Sequence, residues 1–280
     1  MERLDRALAS AVRGRPILMG VPFDGNSSHM QGAAEAPSRI RETLYSDAGN
    51  LWTEHGIDLG KNSALADAGD LDLPDGPDCS ETIKCSTRRV LTEGMLPIAL
   101  GGDHSVTDPL VRAFEDEFDA LELLHFDAHP DLHDSFDGAR SSHACPFARI
   151  MERGRIRRLV QVGIRATNGH QREQARRFGV EVIEMNDLGA AGSLVFSGPV
   201  YVSVDVDVLD PAFAPGVSHR EPGGVSTREL IQMLHRVEGR VVGADVVELN
   251  PRRDRDGITA SACAKIVKEI AGRMLRGQVT

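Results

Sequence analysis

The sequence has little of several features that mark particular classes of protein. Its four cysteines show no CxxC spacing, which argues against a zinc ribbon or a disulfide framework. Aromatic residues make up only 4% of the chain and no basic cluster is interleaved with them. Together with the net charge of −10, this argues against a nucleic-acid surface. No apolar run approaches the length of a membrane span. We therefore expect a cytoplasmic protein that binds neither nucleic acid nor membrane.

The chain also lacks the signals of a leader or a linker. Residues 1–14 mix charged residues with Leu and Ala, without the continuous apolar segment of a signal peptide. No Pro/Ser-rich run, low-complexity tract or internal repeat divides the 280 residues. A chain of this length allows one or two domains, and we expect a single domain over residues 1–280.

What the chain does contain is an alternation of short apolar strands with helical segments. Strands are predicted at 16–21, 96–100, 121–126, 159–163, 180–183, 199–208 and 241–249, and a turn at 67–70. Helices are predicted at 36–44, 80–93, 106–114, 171–178, 227–237 and 260–275. Alternating strands and helices predict an α/β fold, a parallel sheet covered by helices on both faces.

The stretch after the strand at 121–126 carries Asp127, His129 and Asp131 in steps of two. In an ideal strand these side chains would share one face, but Asp127 and Asp131 would lie about 13 Å apart. One small site cannot span that distance, so we expect the strand to end and curl here, which Pro130 favours. Carboxylate, imidazole and carboxylate at the carboxyl end of a strand predict a metal site.

Two other strand ends carry similar groups. His104 follows the pair Gly101 and Gly102, and Asp205 and Asp207 lie on one face of their predicted strand, about 6–7 Å apart along it. Burying so many polar groups beside apolar strands costs several kcal/mol unless something neutralises them. Four carboxylates and two imidazoles suit two ions bridged by carboxylates, and oxygen-rich ligation favours Mn²⁺ over zinc.

These three clusters resemble the signatures of the ureohydrolases, the family of arginase and agmatinase. The matching segments are Gly-Gly-Asp-His-Ser at 101–105, Asp-Ala-His-x-Asp at 127–131 and Ser-x-Asp-x-Asp-x-x-Asp-Pro at 203–211. The similarity extends from Gly20 to Pro251. It implies a three-layer α/β/α fold with an eight-stranded parallel sheet, two Mn²⁺ per chain, and hydrolysis of a guanidino or amidino group, usually with release of urea. It also implies a homo-oligomer, either a trimer or a hexamer.

The resemblance also implies a role for each matching residue. One ion would be held by His104 and Asp131 and the other by His129 and Asp207, with Asp127 and Asp205 bridging them. Three residues would be catalytic: Asp131 would hold the attacking hydroxide and pass its proton to the departing amine, His143 would shuttle protons, and Glu248 would bind the guanidinium.

Within the family the sequence leads us to expect an agmatinase, which converts agmatine to putrescine and urea. Arginases read the amino-acid end of arginine with an Asn and a Ser, and these positions hold His133 and Ala139. Asp134 or Asp137 would then receive an amine tail. Arg140 or His133 could instead receive a carboxylate, so a guanidino-acid hydrolase, an arginase and a formiminoglutamase remain alternatives.

Other classes fit the sequence less well. A dimetal phosphoesterase orders its motifs differently, and no Arg or Lys stands near the ligands to clamp a phosphate. A non-catalytic metal-binding relative would be expected to have lost a ligand, and none is lost. Cys145 beside His143 suggests a thiol nucleophile, which hydroxide chemistry does not need. Finally, His125, Asp103 and Asp210 are expected to orient ligands and not to bind metal.

Overall fold

The computed structural model describes residues 2–76, 78–190 and 194–277. Its eight strands are β1 (Pro16–Gly20), β2 (Ala66–Asp70), β3 (Leu96–Leu100), β4 (Glu122–Phe126), β5 (Arg158–Ile164), β6 (Glu181–Glu184), β7 (Val195–Asp205) and β8 (Glu238–Val247). They form one sheet in the order β2-β1-β3-β8-β7-β4-β5-β6, and every pairing is parallel. The predicted eight-stranded parallel sheet is confirmed, while the single domain over residues 1–280 stays a prediction.

The α-helices in the described part of the chain connect these strands. They are α1 (Glu2–Ser10), α2 (Ala36–Leu44), α3 (Asp78–Thr92), α4 (Thr107–Glu115), α5 (Pro146–Glu152), α6 (Gly169–Phe178), α7 (Thr227–His235) and α8 (Ile258–Arg276). Helix α7 begins at a complete capping box, in which the Ser226 side chain accepts from Glu229 N and Glu229 accepts from Ser226 N. None of the described helices combines the length and apolar character needed to cross a membrane.

Two hydrophobic cores, one on each face of the sheet, explain the three layers. Neighbouring strand residues alternate between them: Leu18 belongs to the core under α2, α7 and α8, while Ile17 and Met19 belong to the core under α1 and α3 to α6. All three side chains are fully buried. Strands with both faces covered must be apolar throughout, which is why short unbroken apolar runs identified most of them.

The structure corrects three local expectations. Residues 67–70, predicted as a turn, belong to the edge strand β2, whose sequence Ala-Asp-Ala-Gly-Asp lacks the β-branched residues that favour strands. Strand β7 ends at Asp205, and Val206–Val208 form a 3₁₀ turn where the strand was expected to continue. Helices α1 and α5 were not predicted. At seven residues and with Pro146 at its start, α5 offers little helical periodicity.

The sheet order brings the polar strand ends together. Strands β3, β8, β7 and β4 are consecutive neighbours in the sheet, although β3 and β4 are consecutive in the chain. The connections of the chain therefore run from this central region toward opposite edges of the sheet. Open parallel sheets hold their ligands at the carboxyl ends of strands at such a switch point.

Candidate metal centre and active site

His104 lies at the centre of the site, on the loop that follows β3. Its Nδ1 is 3.0 Å from Asp131 Oδ2, 3.2 Å from Asp127 Oδ2 and 3.3 Å from Asp205 Oδ2. This nitrogen is buried and has no partner with hydrogen-bond geometry. A ring nitrogen among three carboxylate oxygens, without a hydrogen bond to any of them, is the arrangement expected of ligands that converge on a cation.

A second group of ligand atoms adjoins the first. His129 Nδ1 is 3.0 Å from Asp207 Oδ2 and 3.4 Å from Asp127 Oδ1. Asp127 thus directs one oxygen to each group, as a bridging carboxylate would. The ligand atoms of Asp127, His129 and Asp207 lie within 4.8 Å of one another. Asp205 directs its Oδ2 to His104, and its Oδ1 accepts a hydrogen bond from Asp207 N (2.8 Å), as Asp127 Oδ1 does from His129 N (2.6 Å).

The backbone at the end of β4 gathers these side chains. The strand ends at Phe126, as expected, and Asp131 has a φ of 51°, in the left-handed region. This turn brings Asp131 back to His104, a contact that an extended strand could not make. All six predicted metal ligands converge at the switch point, at the ends of β3, β4 and β7.

The crowding of buried carboxylates has an electrostatic cost. Burial, together with the charges of Asp207 and Asp127, raises the pKa of Asp205 well above its ordinary value. Burial and Asp127 likewise raise the pKa of Asp207 to about 6. Divalent cations would relieve this repulsion. The donor set, carboxylate oxygens with two imidazoles, therefore fits two oxygen-preferring transition-metal ions.

Two buried networks orient the ligands from behind. Gln161 Nε2 donates to His125 Nδ1 (3.0 Å), so Nε2 of His125 carries the hydrogen and donates to Asp127 Oδ2 (2.8 Å). His104 Nε2 lies 3.0 Å from the hydroxyl of Ser203, which donates to Asp245 Oδ1. These contacts fix the ring orientation of His104 and the position of Asp127.

His143 and Glu248 meet beside the metal ligands. Oε1 of Glu248 accepts from His104 N and contacts His143 Nδ1, both at 2.8 Å. Burial alone would lower the pKa of His143, but the Glu248 carboxylate, together with the charges of Asp131 and Asp103, outweighs burial and raises it to about 9. Glu248 itself is buried and has a φ of 65°.

Ser28 is a neighbour of His143 that sequence reasoning missed. Its backbone N–H donates to His143 Nε2 (3.2 Å), and its hydroxyl oxygen lies 2.8 Å from the same nitrogen. In this arrangement Nδ1 carries the hydrogen and donates to Glu248. Protonation of Nε2 would end the bond from Ser28 N and make the hydroxyl an acceptor. Ser28 lies more than 100 residues from His143 in the sequence, so no local pattern could have indicated the contact.

His219 was also missed. Its ring centroid is 5.2 Å from that of His143, 6.1 Å from that of His129 and 5.4 Å from that of His29. It lies on the loop between β7 and α7, shortly after Asp210-Pro211, where the quoted motif ends. Asn250, within the similar region, ties this loop to the N-terminal one by donating to Ser218 Oγ (2.9 Å) and to Met30 O (3.0 Å).

Two of the residues expected to read the substrate tail, Asp134 and Arg140, pair with each other. Asp134 pairs with Arg140 (2.7 Å) and Arg149 (3.3 Å), and Arg140 also pairs with Glu152 (2.9 Å). The ring of His133 stacks on that of His170. Asp134 and Arg140 are therefore already neutralised by neighbours, and neither presents an unpaired charge to a substrate.

The remaining expectations concern groups around the site. Cys145 is fully buried and burial raises the pKa of its thiol to about 11, which disfavours a thiolate nucleophile. Asp103 accepts from Asn26 N and Ser105 N, and so orients the loop that carries His104. Asp210 accepts from Ala212 N, Gly223 N and Gly224 N and so supports a turn, and its expected role in orienting ligands stays a prediction.

The fold and the site define a metal-dependent hydrolase built on a parallel α/β sheet. The family model described as the arginase family matches residues 15–272, and the chain belongs to this family. The predicted resemblance to the ureohydrolases is thereby confirmed, as is the assignment to enzymes that hydrolyse guanidino compounds with the help of metal ions.

Relatives within the family differ in the substrates that their names state. An arginase of Arabidopsis thaliana, named as mitochondrial, is 45% identical over 95% of this chain and 83% of its own length. A guanidinopropionase of Pseudomonas aeruginosa is 37% identical (90% and 84%), and an agmatinase of Bacillus subtilis is 34% identical (91% and 90%). The solved arginase of Medicago truncatula superposes with a TM-score of 0.92 at 42% identity, covering 98% of this chain and 93% of that one.

These comparisons correct the choice made within the family. The expectation of an agmatinase is less well supported than its arginase alternative, because the arginase relatives are considerably more similar to this chain than the agmatinase. The argument from His133 and Ala139 excluded only one way of reading the amino-acid end of arginine. It did not exclude arginine itself.

Proposed function

We propose that this protein is a dimanganese arginase, which hydrolyses L-arginine to ornithine and urea. The observation that carries the metal-dependent chemistry is the buried His104 Nδ1, held among three carboxylate oxygens without a hydrogen bond. The ligands would be His104, Asp127, His129, Asp131, Asp205 and Asp207. Two bound Mn²⁺ would lower the pKa of a water molecule and supply hydroxide for attack on the planar guanidinium carbon.

The residues of the chain supply the remaining steps. Both protein contacts of Glu248 fall on Oε1, which leaves Oε2 to pair with the guanidinium. Asp131 accepts the proton of the attacking hydroxide and returns it to the departing amine. His143, whose pKa is raised by the neighbouring Glu248 carboxylate, delivers a proton toward the leaving group.

The choice of L-arginine is supported by the similarity of the chain to plant arginases and by the pairing of Asp134 with two arginines, which removes a receptor for an amine tail. Agmatine is the second candidate. It is favoured by the absence of the Asn and Ser contacts at His133 and Ala139.

A panel of guanidino compounds tests this proposal. Protein loaded with Mn²⁺ is given L-arginine, agmatine, 3-guanidinopropionate and 4-guanidinobutyrate, and the release of urea is measured. N-formimino-L-glutamate is followed separately through the release of formamide. We expect the highest kcat/KM with L-arginine. A higher kcat/KM with agmatine would restore the agmatinase assignment. Failure to hydrolyse any of the compounds would refute the proposal that the protein is an active hydrolase.

Assembly and compartment are proposals of the same kind. We propose a homo-oligomer, a trimer or a hexamer, on the basis of the family resemblance. We propose the cytoplasm because all four cysteines are free and Cys85 is exposed, as suits a reducing compartment. Size-exclusion chromatography with light scattering tests the first of these proposals.

A further inference from the structure

Two imidazoles, of His29 and His219, lie next to each other near the metal centre, on two loops that are joined by hydrogen bonds. His219 lies on the loop after β7, and exposed His29 lies on the loop after β1, with ring centroids 5.4 Å apart. Ser218 Oγ donates to Met30 O (2.8 Å), and Asn250 Nδ2 donates to both Met30 O and Ser218 Oγ. The residues next to the two histidines are thus joined by hydrogen bonds, which keeps the two loops together.

The side chains of Arg140, Arg149 and Arg165 are engaged by other groups of the protein. Arg140 and Arg149 pair with Asp134 and Glu152. The Arg165 guanidinium donates to main-chain carbonyls, including Asp207 O and Glu221 O at 2.7 Å. In the described parts of the chain, no carboxylate lies within ion-pair distance of His29 or His219, and no hydrogen bond to the protein occupies either ring. Both rings retain their capacity to donate to a ligand.

The spacing of the rings suits the length of arginine. The guanidinium is placed between Glu248 and the proposed metal ligands, where the His143 and His129 rings lie 5.2 and 6.1 Å from that of His219, and the His29 ring lies 5.4 Å from that of His219. In arginine about six covalent bonds separate the guanidinium carbon from the carboxylate carbon, an extended reach of about 7 Å. A tail that leaves the metal centre therefore places its carboxylate beside His219 and His29.

We propose that His29 and His219 form a carboxylate-binding subsite, which selects guanidino substrates with an arginine-length carboxylate tail over the amine tail of agmatine. This inference rests on the proposed function and adds the residues that carry its selectivity. Two N–H donors facing one carboxylate supply the contacts that Asn and Ser make in other arginases. An ammonium tail would meet two donors and no carboxylate.

Substitution of the two histidines tests the subsite. Hydrolysis of L-arginine and agmatine is measured for wild type, His29→Ala, His219→Ala and the double variant, with His55→Ala as a control on a distant exposed loop. Loss of a hydrogen bond to a charged group predicts a fall in kcat/KM for L-arginine of about tenfold or more per histidine, mainly through KM. We expect the value for agmatine to change less than about twofold and the metal content to stay constant. Equal losses on both substrates, or none, would overturn the subsite.

A binding measurement separates failure of the subsite from failure of the proposed function. L-ornithine carries the same carboxylate tail as arginine but has no guanidinium, and putrescine lacks the carboxylate. Calorimetry on Mn-loaded protein should show that His219→Ala, which removes the donor, weakens L-ornithine binding by about tenfold. Failure of wild type to bind L-ornithine more tightly than putrescine would refute the subsite, even if urea is released. His219→Leu, which also lacks a donor, repeats the test if the Ala variant folds poorly, and exposed His29 can be replaced without disturbing the core.

Discussion

At the scale of single residues, two side chains of the site stand on unusual backbone. Asp131 and Glu248 have φ angles of 51° and 65°, in a region that residues other than glycine rarely occupy. Such conformations cost of order 1–3 kcal/mol and persist where the surroundings enforce them. For Glu248 the enforcement is visible, because its N–H donates to Gly102 O (2.9 Å) and its carboxylate accepts from His104 N. The strain falls on the two residues to which we assign proton transfer and guanidinium binding.

Replacing Glu248 by Gln should separate substrate binding from metal binding. The amide oxygen can still accept from His104 N, so we expect metal content to be unchanged. Loss of one partner of a buried charge pair should reduce turnover by about a hundredfold or more. Since the carboxylate contributes most to raising the pKa of His143 to about 9, that pKa should fall, and the corresponding limb of the pH–rate profile should move to lower pH. An unchanged rate would place the guanidinium elsewhere.

Asp127 gives a complementary prediction. Its two oxygens face the two groups of ligands, and a neutral amide bridges cations poorly. Asp127→Asn should therefore lose at least one Mn²⁺ per chain by elemental analysis, and its urea release should fall by about a hundredfold or more. Asp119→Asn, at an exposed position, is the matched control. Full metal content and full activity in Asp127→Asn would show that the bridging assignment is wrong.

At the scale of elements, the site depends on the close crossing of the loops that follow β1 and β3. Gly102 lies against the main chain there, and a Cβ on it would lie 1.6 Å from Phe23 O. Asp103 N donates to the same carbonyl (2.9 Å). Because the neighbouring atom is backbone, a side chain can be accommodated only if one loop moves away and displaces His104.

Gly102→Ala should accordingly destabilise the protein by about 3 kcal/mol or more and abolish metal binding. Gly169 at the start of α6 offers a matched control, since a Cβ there meets nothing within 4 Å. Gly169→Ala should be neutral or slightly stabilising, because alanine restricts the unfolded chain. Chemical unfolding and metal analysis of both variants decide the matter, and similar behaviour of the two would contradict the crossing argument.

Most elements could be predicted from the sequence because their cause is local. Leu96–Leu100 is a fully buried apolar run that ends at a glycine pair, and its bounds were predicted without error. Strand β2 could not be found in this way, because Ala-Asp-Ala-Gly-Asp becomes a strand only by pairing with β1. The turn at 206–208 was missed for a related reason, since it depends on the hydrogen bond from Asp207 N to Asp205.

The residues of the site likewise divide into those with a local sequence signal and those without one. The six proposed ligands follow three strands and were found through their motifs, whereas Ser28 and His219 reach His143 from loops distant in the sequence. Only the sheet order and the loop conformations decide such contacts. The choice of agmatine is less well supported for the same reason: the ion pairs that engage Asp134 and Arg140 depend on how residues 132–142 fold against α5.

At the scale of the whole molecule, the site lies at the carboxyl ends of the central strands of the sheet. Groups from the ends of β3, β4 and β7 converge on the ligand cluster, and Glu248 at the end of β8 joins them through His104. Without cations, the buried carboxylates repel one another, as the raised pKa values of Asp205 and Asp207 indicate. Bound metal should therefore stabilise the entire fold, because it joins segments that belong to both halves of the chain.

Removal of metal tests this coupling. A ligand that binds only the folded state at a hundred times its Kd adds about 2.7 kcal/mol per site, which for a domain of this size corresponds to a rise in Tm of about 5 °C or more. Chelated protein should thus melt lower than protein refilled with Mn²⁺, and Asp119→Asn should show the same shift as wild type. In Asp127→Asn the shift should be much smaller, since the cations lose their common ligand. Equal melting temperatures for chelated and refilled wild type would mean that the six residues do not form a metal centre, since a cation cannot bind the folded protein without stabilising it.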